Sequence, residues 1–302
     1  MPSSIAILPA DQIDVSKLND CIENYKGLIY SRTEYLNQMA DQWSGVVLND
    51  YQSVMPLPYR KKWGITYLYT PAFTQQLGLT GNYTEQDFKA AFHAISGFAK
   101  YGDYFLNHLN QPNLDQGSFI SRNNFIINLS PAYEEIYTAY STNFKRILKK
   151  EQSFSYQIKD AVIESIQMHQ FLVQPLTKKV THQDYQHLTA LCIQMLQKEK
   201  CICRNITDDQ NNILSTAILL KDNFRLYNLL NTTSVEGKKQ FANHFLMNGI
   251  IKEFASSGLT LDLEGSAIPG VKEFYIKLGA INQPYYHWHF NQLPFPINLL
   301  KR

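Results

Sequence analysis

The residues best suited to chemistry lie in residues 259–280, LTLDLEGSAIPGVKEFYIKLGA. Asp262 and Glu264 alternate with Leu261 and Leu263, the period-2 pattern of a strand, so both carboxylates are expected on one face. A carboxylate where a strand ends can take a proton from an incoming nucleophile. Glu264, beside the polar turn at Gly265-Ser266, is the better placed for this. Asp262 is the more structural of the two; both could instead cap the following helix or pair with a basic residue. That helix has Pro269 in its first turn and Ile268, Val271, Phe274, Tyr275 and Leu278 spaced for one face, with Gly279 at its C-terminus. Tyr275 thus lies on an apolar stripe, where its ring could be core or its hydroxyl could act.

Other polar groups are weaker candidates. His287 and His289 alternate around Trp288 and share a strand face, but with no third ligand nearby they predict a hydrogen-bonded or solvated pair, not a metal site. The four cysteines, Cys21, Cys192, Cys201 and Cys203, lack the paired spacing of zinc ligands and are expected to be reduced thiols. Lys145, Arg146, Lys149 and Lys150 end a predicted helix, where the helix dipole alone accounts for basic residues.

The elements that would position these groups follow from hydrophobic period and turn chemistry. Helices are expected at 17–25, 33–42, 84–100, 131–150, 161–169, from Thr181, and at 240–256. Strands are expected at 44–48, 51–56, 65–69, 104–109, 119–129, 154–158, 213–220, 224–230, 259–263 and 285–290, with an edge piece at 171–173. Met55-Pro56-Leu57-Pro58 is expected to break its strand, leaving Arg60-Lys61-Lys62 as a basic loop. In each half a hairpin (turns at Asn49-Asp50 and Asp222-Asn223) is followed by a loop, a helix and a strand. This is a duplicated layout, divided into 1–152 and 153–302.

Composition sets the bounds. With 302 residues, 44% of them hydrophobic and 13% aromatic, the chain can bury two cores, and disorder is excluded as a general description. A net charge of +2 is too balanced to argue for a nucleic-acid binder, and no DNA partner is expected. The N-terminus lacks a basic segment ahead of a long apolar run, and no apolar stretch approaches the roughly 18 residues of a membrane span. A cytoplasmic protein is the expectation.

Two segments carry a resemblance to a known group. The run Phe274-Tyr275-Ile276-Lys277-Leu278-Gly279-Ala280 is similar to the Tyr-x-x-x-Gly-Phe helix end of GNAT acyltransferases. The preceding Asp262-x-Glu264-Gly265-Ser266 resembles their FemAB/FemX-related branch, which carries two GNAT-like units in one chain. The pattern Trp43…Tyr51…Met55-Pro56-Leu57-Pro58…Arg60…Pro71-x-Phe73-x-Gln75-Gln76-Leu77-Gly78 also looks like bacterial members of that branch. The resemblance implies an α/β (α+β) protein of two tandem GNAT-like (Nat fold) units, each a mixed twisted sheet flanked by helices.

It also implies N-acyl transfer from acyl-CoA (acetyl-CoA) to a small-molecule or peptide amine in a cleft between the units. Glu264 would be the base, and Tyr275 the acid that reprotonates the leaving group. The donor's pyrophosphate would rest on the loop before the helix at Gln240, on Ser234, Gly237, Lys238 and Lys239, because a helix N-terminus favours anions. Of the family's Gln/Arg-x-x-Gly-x-Gly/Ala pattern only Gly237 is present. Arg60, Lys61, Gln75 and Gln76 would line the substrate cleft, the alternative being an ordinary surface loop. Two other functions stay open: a FemX-type transfer from aminoacyl-tRNA to a cell-wall precursor, in which the 145–150 cluster could meet RNA phosphates, and a binding protein without chemistry.

Overall fold

The computed structural model describes residues 4–112, 117–150, 153–158, 161–177, 180–264 and 269–300. They fall into two compact units, residues 1–122 with 284–302 and residues 123–283. The chain enters unit 1 through β1 (Ile5–Pro9), α1 (Val15–Asn24), α2 (Thr33–Met39), β2 (Trp43–Leu48), β3 (Ser53–Lys62), β4 (Ile65–Leu68), β5 (Thr80–Gly81), α3 (Glu85–Phe98), β6 (Tyr101–Leu106) and β7 (Ser118–Arg122). Unit 2 follows with β8 (Phe125–Asn128), α4 (Tyr133–Thr138), α5 (Thr142–Leu148), β9 (Phe154–Gln157), α6 (Val162–Val173), α7 (His182–Leu196), β10 (Cys201–Asp208), β11 (Ile213–Lys221) and β12 (Arg225–Thr233). It closes with α8 (Val235–Lys239), α9 (Ala242–Phe254), β13 (Thr260–Asp262), α10 (Pro269–Lys277) and β14 (Ile281–Asn282). Strand β15 (Tyr285–Asn291) then returns to unit 1.

Each unit is built on one mixed sheet. In unit 1 the order is β1-β2-β3-β4-β6-β15-β7, with β5 on β3; in unit 2 it is β14-β8-β13-β12-β11-β10-β9. Trp288 on β15 anchors the first core, packed on Phe92 and Phe290 at ring separations of 4.4 Å each. The second core joins strand residues such as Ala217, Leu219, Leu226 and Leu261 to Leu246, Met247, Ile250 and Ile251 of α9.

The division differs from the expected 1–152 and 153–302. The run 119–129 is not one strand. It supplies β7 to the unit 1 sheet and β8 to the unit 2 sheet, with Asn123-Asn124 between them. The predicted 131–150 helix is two, because the Ser141 hydroxyl accepts the Phe144 N–H and starts a new helix there. Residues 171–173 belong to α6, not to an edge strand. Strands β1 and β10 were not foreseen.

The prolines do not break β3. Tyr59 N–H points to the β2 side, bonding Gln42 O, so by alternation the Pro56 and Pro58 nitrogens face the other edge. That edge is paired only at Ser53-Val54, with β5, and from Tyr59 onward, with β4. The missing N–H groups fall in the gap. Arg60, Lys61 and Lys62 are consequently strand residues.

Candidate functional site

The site in unit 2 is built where β12 and β13 run parallel. Their pairing covers Arg225–Tyr227 against Thr260–Asp262, after which β12 continues to Thr233 while the other chain turns away. Ligand sites in α/β sheets form at such carboxyl ends. Asp262 is fully buried and takes a hydrogen bond from Arg225 Nη1 at 2.5 Å; the same guanidinium also donates to Gln283 Oε1. Glu264 adopts a left-handed backbone (φ 59°) and its N–H donates to Asp262 Oδ1 at 3.0 Å. The alternation expected to put both carboxylates on one face therefore ends at this bend. Asp262 is the structural one, as expected. Gly265 and Ser266 lie outside the described residues.

A pocket of about 300 Å³ opens beside this bend. Asn231 and Thr233 of β12 form one wall, Gly237 and Lys238 of α8 and Phe241, Asn243 and His244 a second, and Gly270, Val271, Phe274 and Tyr275 of α10 the third. The volume is at the lower end of small-ligand pockets, and the lining has their mix of apolar surface and a few convergent polar groups. Gly237, Lys238 and Tyr275, chosen separately from the sequence, thus meet on one cavity. Glu264, Ser234 and Lys239 are not on its wall.

Tyr275 is both core and pocket wall: only 8% of it is exposed, and its ring lies 5.9 Å from that of Phe125. Burial raises its hydroxyl well above the ordinary phenol range; the charges of Glu264 and Asp262 add to this, and a hydrogen bond from the Asn228 side chain opposes it. His244 is enclosed by Phe144, Phe241 and Phe274 at ring separations of 4.7, 5.5 and 5.0 Å. Burial lowers its pKa to about 4, so the imidazole is neutral at pH 7. Nδ1 of His244 and Oδ1 of Asn243 are buried, with no hydrogen-bond partner among the described residues. Buried polar atoms are nearly always paired, which makes these two the natural contacts for a ligand's polar groups. Neither stands out in the sequence, where both read as ordinary residues in the first turn of a helix.

The expected pyrophosphate loop is already occupied. Ser234 Oγ accepts the Gly237 N–H at 2.9 Å, capping a helix of five residues. Gly237 is needed for packing, since a Cβ there would lie 2.1 Å from Leu214 O. Lys239 pairs with Glu236 at 3.0 Å in solvent.

The four expected substrate residues belong to unit 1. Arg60 pairs with Asp41 at 2.5 Å and stacks 4.2 Å from the Tyr69 ring centre. Lys61 is exposed on β3. Gln76 is fully buried, its Nε2 donating to Gln75 Oε1 and its Oε1 accepting the His108 N–H. Gln76 thus holds backbone in place. His287 Nε2 and His289 Nδ1 both contact Asp103 Oδ1, at 3.1 and 3.0 Å, and Tyr101 donates to Oδ2. The His287 hydrogen bond, helped by those of Tyr101 and His289, holds the Asp103 carboxyl far below its ordinary range. The pair is hydrogen-bonded, as expected. Among the described residues no group of three or more His, Cys, Asp or Glu side chains is arranged to hold a metal ion, and no helix is long and apolar enough to cross a membrane.

This pair of mixed α/β units is the tandem GNAT-like, or Nat, fold. Over 100% of both chains it superimposes on FemX with a TM-score of 0.64 at 12% sequence identity. A conserved protein of unknown function from Bacteroides thetaiotaomicron gives 0.58 at 9% identity over 95% of this chain and 100% of its own. L-PGS from Bacillus licheniformis gives 0.53 at 11% identity over 95% of each chain. No protein-family model matches the chain, and no curated protein matches it. At these identities the likeness shows the fold alone.

Proposed function

We propose that this chain transfers an activated acyl group to an amine, with the reacting carbonyl in the unit 2 pocket. The observation that carries this is the meeting of Gly237, Lys238 and Tyr275 on one cavity at the end of a parallel strand pair, in a chain with the FemX fold throughout. The amine nitrogen attacks the carbonyl carbon, and the bond from that carbon to its oxygen or sulfur leaving group breaks. Tyr275 gives its proton to the departing atom, and the nitrogen loses one to water, or through water to Glu264, which lies off the pocket wall.

Two donors suit this scheme. Acyl-CoA is the donor the GNAT resemblance implies, with Lys238 available to a phosphate. An aminoacyl ester, as on a charged tRNA, is favoured by two observations. The Gly237 N–H that would meet a pyrophosphate is taken by Ser234. Burial, by raising the Tyr275 hydroxyl above its ordinary range, also weakens it as a proton source for a thiolate, whose conjugate acid has a pKa near about 8.5.

Thermal unfolding with CoA and acetyl-CoA separates the donors. A ligand at about a hundred times its Kd stabilises by about 2.7 kcal/mol, several degrees in Tm. In parallel, consumption of aminoacyl-tRNA is followed with a lysine-containing peptide as the amine. A CoA shift without tRNA turnover supports the thioester donor, and turnover without a shift the ester. Neither result would overturn the enzyme and leave a binding protein.

A further inference from the structure

The hairpin joining β3 to β4 places a tryptophan where neither turn geometry nor core packing calls for one. Its two turn residues, Trp63 and Gly64, are both left-handed, with φ 52° and 76°. This two-residue turn favours Asn-Gly or Asp-Gly, and a bulky residue with positive φ is an outlier. Trp63 is 83% exposed, touched by the Lys62 ammonium 4.8 Å from its ring centre. Lys61 and Lys62 are exposed as well and have no ion pair among the described residues. Beside the turn an open hollow of about 150 Å³ is lined by Lys62 and Trp63 themselves, with Ile65, Tyr67, Tyr101, Leu293 and Ile297. Phe295, between the last two in sequence, is 79% exposed. A bulky residue held in a costly conformation with most of its surface in solvent points to a function outside the fold.

We propose that this hairpin tip docks unit 1 on an anionic lipid surface, with Trp63 in the headgroup layer and Lys61 and Lys62 on the lipid phosphates. Indole rings concentrate at the membrane–water boundary, and lysines beside them add affinity for negatively charged lipid. The shape favours lipid over RNA. A two-residue hairpin tip carrying one exposed aromatic ring can insert into an interface, whereas single-stranded RNA is bound along a basic groove with successive stacking rings. The inference is independent of the reaction assigned to unit 2.

The protein carries its own reporter. Of its three tryptophans, Trp43 and Trp288 are buried, so long-wavelength emission comes from Trp63. The full chain is titrated with phosphatidylcholine vesicles and with mixed phosphatidylcholine–phosphatidylglycerol vesicles, reading emission and co-sedimentation. The expected result is a blue shift and sedimentation with the mixed vesicles only, weakened by salt. K61Q and K62Q should each weaken binding about five-fold. W63N should abolish it without lowering Tm, because asparagine suits the left-handed turn position. Absence of binding, equal binding to neutral vesicles, or unchanged binding by W63N would overturn the proposal. So would an emission shift produced by tRNA without vesicle binding, which would make the tip an RNA contact.

Discussion

Arg225 Nη1 reaches Asp262 Oδ2 at 2.5 Å across the only parallel strand pair described in the unit 2 sheet. Asp262 is wholly buried and the arginine side chain nearly so. The other carboxylate oxygen takes the Glu264 N–H at 3.0 Å. One carboxylate therefore fixes both the strand pairing and the bend beyond it.

Asp262→Leu strands the arginine charge in the interior. Removing one partner of a buried pair typically destabilises by about 3–5 kcal/mol, whereas apolar replacement of both is often close to neutral. Urea unfolding should therefore show R225M/D262L more stable than D262L. A double variant as unstable as the single would mean that the carboxylate acts through the Glu264 N–H and not through the arginine.

The two pocket glycines should behave oppositely. At Gly237 a Cβ meets the Leu214 backbone at 2.1 Å, while at Gly270 it meets nothing within 4 Å. Gly237→Ala should destabilise by about 1–3 kcal/mol or more through overpacking. Gly270→Ala should leave stability unchanged or raise it by up to about 1 kcal/mol, as alanine in a helix does. It still adds a methyl to the pocket wall, so G270A is the variant that lowers donor affinity at full Tm. A G270A protein that binds donor normally would move the donor out of this pocket.

His244 predicts acid sensitivity of a definite sign. Its pKa falls from the ordinary 6.5 to about 4 on burial, with the nearby Phe241 backbone opposing and the Lys277 charge acting in the same direction as burial. Between those values the unfolded chain binds the proton more readily, so stability rises with pH. Acidification from pH 6.5 to 4 should cost stability. His169, lowered to about 4 by burial, contributes in the same window. His244→Phe keeps an aromatic among Phe144, Phe241 and Phe274 and should flatten part of the pH 4–6.5 slope in urea unfolding. An unchanged slope would assign the whole effect to His169 and other groups.

Local pattern made much of this legible. The β11–β12 hairpin, the helix starts at Thr84 and Thr181 and the β13–α10 unit all lie where period and turn residues put them. Partnership was not legible. The pattern of β15 shows which face is apolar but not that it pairs with β6 and β7, far behind it in sequence. The apolar run 119–129 looks continuous because both of its halves are strands; that they serve different sheets is a tertiary fact. At the site, Tyr275 and Gly237 carried sequence signals, whereas His244 and Asn243 are ordinary helix residues until Phe144, Phe241 and Phe274 close around His244.

Tyr275→Phe tests the chemistry itself. Losing the hydroxyl leaves the buried Asn228 amide without its partner, a penalty of about 1–3 kcal/mol that urea unfolding will register. If Tyr275 is the acid, transfer should slow by roughly 10²–10⁴-fold at temperatures where Y275F is fully folded. The size of the loss should depend on the leaving group. An alkoxide departs poorly without a proton, while a thiolate departs without help, so an aminoacyl ester should suffer much more than a thioester. Equal losses for both donors would reduce Tyr275 to a wall of the pocket, because a residue that only shapes a cavity does not distinguish oxygen from sulfur. Donor-dependent loss would identify the group to which the proton goes.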